Sequence, residues 1–138
     1  MSGLDFDISG FLSNLNNTNA RVQRAVRTGV QDCMDDLKRI AVDIAPIDSA
    51  DLRRSGQAKV TQVAGHTVGE VTFQAIDNGF DYATWIHEGD YNLGPLSAQA
   101  PGTDGYSVGN KYLERPLRGE SAKYLRWIAE EIKDAVGD

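Results

Sequence analysis

Few residues in this 138-residue chain have the type and spacing for chemistry. His87-Glu88 invites a metal or general-base reading, because a histidine beside a carboxylate opens the zinc-protease pattern. That pattern needs a second histidine four residues after the first, and Tyr91 stands there. The other histidine, His66, follows Gly65 at a turn signal and reads as a surface residue, with no third ligand at metal spacing. Cys33 is the one cysteine, so there is neither a disulfide framework nor a metal quartet. It falls on an apolar helix position and reads as a small core residue. Ser49 and Ser55 sit in no nucleophile elbow, and the stretch from Gly94 to Ser97 lacks that motif's second glycine. No glycine-rich loop leads into a helix with a phosphate-binding lysine. Asp35-Asp36 read as solvated carboxylates on a helix surface. The expectation is a chain with no catalytic residue, no metal and no cofactor, whose chemistry lies in its surfaces.

Those surfaces depend on the elements that carry them. From Ala20 to Ile44 the apolar positions Val22, Val26, Val30, Cys33/Met34, Leu37, Ile40/Ala41 and Ile44 recur in steps of three and four, as on one face of a long helix. Gly29 weakens it by roughly 1 kcal/mol relative to Ala. Arg21, Arg24 and Arg27 stand near the positive end of the helix dipole, where cations are disfavoured. They read either as a solvated face or as a basic stripe for an acidic partner. Pro46 stops the helix, since the residue before a proline is pushed out of the α region. Asp48 or Ser49 then caps a single turn anchored by Leu52, leaving Arg53 and Arg54 near the surface. Residues 57–76 alternate as an antiparallel hairpin. Asp77-Asn78-Gly79 is a turn signal, and YATWIH, Tyr82 to His87, reads as a third strand. Leu37, Ile40, Ile44 and Leu52 are expected in the core, with Tyr82, Trp85 and Tyr112 in it or at its border.

Residues 89–110 are rich in Gly and Pro and read as a long loop, with room for a small hairpin of its own, and such a loop in a compact domain is either functional or disordered. A final helix is expected from about Ser121 to Val136, with Tyr124, Leu125, Ile128 and Ile132 on its apolar stripe and Trp127 at the border. Residues 1–19 read as an N-terminal arm, in which Asp7 or Ser9 caps one or two turns carrying Phe11, Leu12 and Leu15. Thr18 or Asn19 is the expected N-cap of the long helix. The sum is one α+β domain over residues 20–138. It has a long N-terminal helix, an antiparallel sheet of three to four strands, the long loop, and a C-terminal helix packed on one face of the sheet. A sheet so small has open edges that must be blunted or paired.

The formal net charge is −6, unevenly spread. Residues 55–110 hold one base, Lys59, against six acids, which argues against nucleic acid wrapping around the middle of the chain. The start, MSGLDFDISGF, has no basic region or apolar run, so no signal peptide is expected. No stretch approaches the roughly 20 apolar residues of a membrane span. A reducing, cytosol-like compartment is expected until the protein assembles.

Three segments together carry a resemblance. Ala45-Pro46-Ile47-Asp48-Ser49-Ala50-Asp51-Leu52-Arg53-Arg54-Ser55 follows a long helix. Tyr82-Ala83-Thr84-Trp85-Ile86-His87-Glu88-Gly89 comes next, and Tyr112-Leu113-Glu114-Arg115-Pro116-Leu117 leads into the last helix. In order and spacing, over roughly residues 20–136, this resembles the tail-completion or minor tail-component family of long-tailed bacteriophages, also called minor capsid or head-tail joining proteins. Ala50 departs from the family's glycine, and a helical turn there removes any need for a positive φ. The loop over 89–110 is longer than in many relatives.

The resemblance implies a structural virion protein of the neck, made in the bacterial host cytoplasm, with no catalytic role. Such subunits form a ring, hexameric or dodecameric, between the head connector or adaptor and the tail terminator or tube. DNA passes through the channel without specific binding, and an acidic lining would let it slide. The interface candidates are Arg53, Arg54, Arg115, Arg118, Tyr91 and Tyr106. Two other readings stand beside this one. One is a tail terminator or other tail-associated protein. The other is a nucleic-acid-binding accessory domain using Arg21, Arg24, Arg27, Arg53 and Arg54.

Overall fold

A computed structural model of the chain describes residues 20–47, 50–77, 79–89 and 93–137. Helix α1 (Ala20–Ile44) has the predicted bounds, and its apolar stripe from Val22 to Ile44 is buried along its whole length. A single turn, α2 (Ala50–Arg54), follows. Strands β1 (Gln57–Val63) and β2 (His66–Thr72) form an antiparallel hairpin, with Val63 opposite His66 and Gln57 opposite Thr72. Its turn is Ala64-Gly65, both at positive φ, so His66 opens the second strand instead of occupying the turn. A second, separate hairpin pairs β3 (Ile76–Asp77) with β4 (Phe80–Asp81). Then come α3 (Ala83–Glu88), α4 (Pro95–Gln99) and the long helix α5 (Glu114–Ala135). The arm, the caps expected at Asp7, Ser9, Thr18, Asn19, Asp48 and Ser49, and Tyr91 lie outside the described residues.

The fold is α+β, but it departs from the prediction in its sheet, its loop and its last helix. The expected third strand, Tyr82 to His87, is the helix α3. Its buried residues Ala83, Ile86 and His87 are spaced at i, i+3 and i+4, a helical set too short to stand out in the sequence. The main sheet therefore has two strands. The stretch read as a loop over 89–110 carries the unexpected helix α4, while the antiparallel bridge between Thr103 and Tyr106 is a small hairpin of the kind allowed for there. The last helix begins at Glu114, seven residues before Ser121, because Pro116 is tolerated in a first turn, where its missing N–H has no partner to lose.

Helix α1 is the hub, packing against α5 along one side and against β1 and β2 along another. The C-terminal helix thus docks mainly on α1, not on the sheet. Gly29 explains the closeness of the two helices: a Cβ there would come within 3.0 Å of the Ile128 Cα. The residue that weakens α1 locally is the one that lets α5 approach. Two chain-distant contacts fix the antiparallel register. The Cys33 thiol donates to the Tyr124 carbonyl at 3.4 Å, and Asp36 accepts from Lys123 and the Tyr124 hydroxyl. Leu37, Ile40, Ile44, Leu52 and Tyr112 are fully buried, Tyr82 is half-buried, and Trp85 is 59% exposed, outside the core where it was expected.

Candidate functional site: the junction at the end of the long helix

The last carbonyls of any helix lack intrahelical partners. At the end of α1, carbonyls are met by residues from two later segments, and a third segment takes up an N–H just beyond the helix. After Pro46 the chain turns back through α2, which buries Leu52 and brings Arg53 beneath the helix end. Its guanidinium donates from Nε to the Ala45 carbonyl and from Nη2 to the Asp43 carbonyl, each at 2.8 Å. The Gly109 N–H donates to the Ile44 carbonyl at 3.0 Å. Ser97, buried in α4, accepts the Ile47 N–H at 2.8 Å. Ser55 links the turn to the strand side: its hydroxyl donates to the Leu52 carbonyl at 2.7 Å and accepts the Gln74 N–H at 3.0 Å. Ala50 lies in helical conformation as the first residue of α2, which requires no positive φ.

The second and third motif segments meet each other beside this end. The buried Tyr112 hydroxyl donates to the Ala83 carbonyl at 2.9 Å, and its ring meets Phe73 and His87 edge-on at 5.1 and 5.0 Å. The Lys111 N–H donates to the His87 carbonyl at 2.8 Å, and the Asn110 amide to the Gly89 carbonyl at 2.8 Å. Arg115 acts as Arg53 does, donating to the carbonyls of Asn110 at 2.9 Å and Ser107 at 2.8 Å.

His87 is the buried titratable group of the junction. Its Nε2 accepts the Glu114 N–H at the start of α5 at 3.3 Å, while Nδ1 bonds the Glu88 carboxylate. That pair of roles assigns the proton to Nδ1 and keeps the ring neutral. Burial pushes its pKa below the ordinary value, against the pull of Glu88. Glu88 itself is held below the usual carboxylate range by the hydrogen bond from Lys111, 2.7 Å away, and then by His87. The histidine that suggested a metal in the sequence is thus an acceptor for a helix N-terminus. Among the described residues no group of three or more His, Cys, Asp or Glu is placed to hold a metal ion, and no helix is long and apolar enough to cross a membrane.

A second polar cluster straps the 103–106 bridge to the two long helices. Asp36, nearly buried, accepts from Arg39 at 2.9 Å, Lys123 at 3.1 Å and the Tyr124 hydroxyl at 2.9 Å. Burial pushes its carboxyl up, but those donors outweigh it and hold the pKa below the ordinary value. Arg39 also reaches Asp104 at 2.7 Å, and Glu120 accepts from Lys123 and the Tyr106 hydroxyl, each at 2.7 Å. Lys123 lies 4.8 Å over the Trp127 ring. Of the two carboxylates read as solvated, only Asp35 is exposed.

The six interface candidates therefore divide. Arg53 and Arg115 are half-buried and occupied with backbone carbonyls, and Tyr106 is held by Glu120. Arg54 and Arg118 are exposed, with acids at 3.5 Å (Asp51) and 3.7 Å (Glu114). Tyr91 lies outside the described residues. Sequence reasoning missed His87, Ser97 and Gly109 as parts of the junction. The one local signal was a histidine just ahead of a glycine-rich stretch. No family model, characterised protein or solved structure matches the chain.

Proposed function

We propose that this chain is a structural subunit of a tailed bacteriophage, a neck or tail-completion protein that assembles into a ring joining head connector to tail. The observation that carries the reading is the junction. The three segments bearing the family resemblance are far apart in sequence, yet they meet at one end of α1. There Arg53, Tyr112 and Arg115 serve as internal fasteners. With these residues occupied inside the fold, the reading leaves contact with neighbours to the remaining surface. Virion location and host-cytoplasmic synthesis follow from the same reading.

Electron microscopy of intact particles tests it. A ring of this subunit is expected between the head connector and the tail. Density for it only at the distal end of the tail, or none in the particle, would overturn the reading. The nucleic-acid alternative loses Arg53, whose donors already hold Ala45 and Asp43. Filter binding across a salt series checks what is left of it, since affinity for phosphates falls steeply as salt rises.

A further inference from the structure

Strand β1 has one side without a partner. The hairpin turn Ala64-Gly65 has two residues, both at positive φ, which makes the closing pair, Val63 with His66, a hydrogen-bonded one. Bonded and non-bonded pairs then alternate. Gln57, Lys59, Thr61 and Val63 hold β2, and the N–H and C=O groups of Ala58, Val60 and Gln62 point away from it. Among the described residues, no main-chain hydrogen bond joins these three to another segment. The matching row on β2, Thr67, Gly69 and Val71, is buried, whereas Ala58 and Val60 are half-buried and Gln62 is exposed. The hairpin therefore offers one open edge, that of β1.

Folded proteins blunt such edges with prolines, bulges, charges or short length, because an open edge templates pairing with another chain. This edge is not blunted. Its seven residues pair with β2 without a bulge and include no proline. Its one lysine, Lys59, lies 3.7 Å from Glu70 across the ladder, so its charge is already answered. Ala58 and Val60 are on the face turned toward α1: Gly69 stands opposite Val60, and a Cβ on Gly69 would meet Val30 and Met34. Both pack against the core yet stay partly uncovered, as at the rim of an unfinished sheet.

The strand is its own complement. Val60 is the midpoint of β1, so an antiparallel copy turned about a two-fold axis there uses the whole strand. Val60 then lies opposite the second copy's Val60, Ala58 opposite its Gln62, and Lys59 opposite its Thr61. All three outward-facing residues donate and accept, a β-branched pair meets on the inner face, and no like charges oppose each other along the new ladder. With a single open edge on each copy, pairing of this kind closes at two.

We propose that two copies of this chain pair edge to edge through β1, joining two two-stranded sheets into one of four strands with both α1 helices on the same face. The pairing goes beyond the neck reading and does not rest on it, since a contact that closes at two copies leaves other surfaces for a ring.

Three variants of the full chain test it, each checked for folding by circular dichroism. Val60→Pro deletes an N–H that the β1–β2 ladder does not use, so it blocks the edge and spares the hairpin. Thr61→Lys and Thr61→Glu leave the edge groups in place and act on the second copy's Lys59; they keep the test alive if the proline variant fails to fold. Sedimentation velocity and native mass spectrometry over a concentration series should show a wild-type dimer. Val60→Pro should weaken it by more than about tenfold. Thr61→Lys should weaken it and Thr61→Glu should tighten it, each several-fold. Hydrogen exchange at the Ala58, Val60 and Gln62 amides should slow as the dimer forms.

Wild type monomeric throughout, a dimer indifferent to Val60→Pro, or one that responds alike to both charges at Thr61 would refute the pairing. Amides that exchange freely in the pure protein and are protected only in assembled particles would give the edge to a strand of another protein and overturn the proposal. None of these results bears on whether a ring is seen in the particle.

Discussion

Arg53 and Arg54 are adjacent and alike in sequence, and the structure predicts that they differ sharply in what they contribute. Replacing Arg53 with Met keeps most of the aliphatic stem and removes both carbonyl contacts. Ala45 is fully buried, so its carbonyl cannot turn to water, and an orphaned buried acceptor costs about 1–3 kcal/mol. Asp43 is exposed, and its carbonyl recovers a water at little cost. No buried charge is left behind, because the guanidinium goes with the substitution. The expected loss is about 2 kcal/mol, or roughly 8 °C in Tm at about 4 °C per kcal/mol for a domain of this size.

Arg54→Met removes a surface pair at 3.5 Å between two well-exposed side chains and should cost less than about 0.5 kcal/mol. Arg53→Lys should fall between, since a point charge on a flexible stem cannot reach two carbonyls as a planar fork does. Urea unfolding followed by circular dichroism measures all three. Equal losses for Arg53→Met and Arg54→Met, or a loss below about 0.5 kcal/mol for the former, would refute the capping argument.

Three further outcomes follow from the packing and the titrating groups. The folded protein holds His87 neutral below its ordinary pKa, so the unfolded chain binds more protons once pH drops under about 6.5; stability should fall from there downward, and His87→Phe should flatten that slope in urea titrations between pH 7.5 and 5. Gly29→Ala gains roughly 1 kcal/mol of helix propensity but sets a methyl against the Ile128 backbone, so a net loss of about 1–2 kcal/mol is expected, read as a lowered Tm. Cys33 is buried and its thiol is pushed up to about 12, so Ellman's reagent should label it only on unfolding.

The elements that were legible in the sequence are those with long periodicity. Helix α1 was readable to the residue because seven successive apolar positions hold one face. The β1–β2 hairpin was readable because it alternates. Helix α3 was not, since six residues offer fewer than two helical turns and Tyr82 and Trp85 mimic the large side chains of a strand. The junction was half legible. Pro46 and Leu52 announced a stop and an anchor through local chemistry. The acceptors of Arg53 and Arg115 are backbone carbonyls, which carry no sequence signature, and Gly109 contributes only its N–H. A solvated arginine and a buried fastener look the same until the fold brings the carbonyls to them.

The way α1 is finished also sets a timetable for synthesis. Its Ile44 carbonyl waits for Gly109, and its flank waits for α5, so neither is satisfied when the helix leaves the ribosome. Until residues 107–128 have emerged, the nascent chain carries an amphipathic rod with an exposed stripe. Contacts so distant along the chain form slowly and leave apolar surface open meanwhile. Completion of the rod therefore depends on residues 107–128, which are made well after α1 itself.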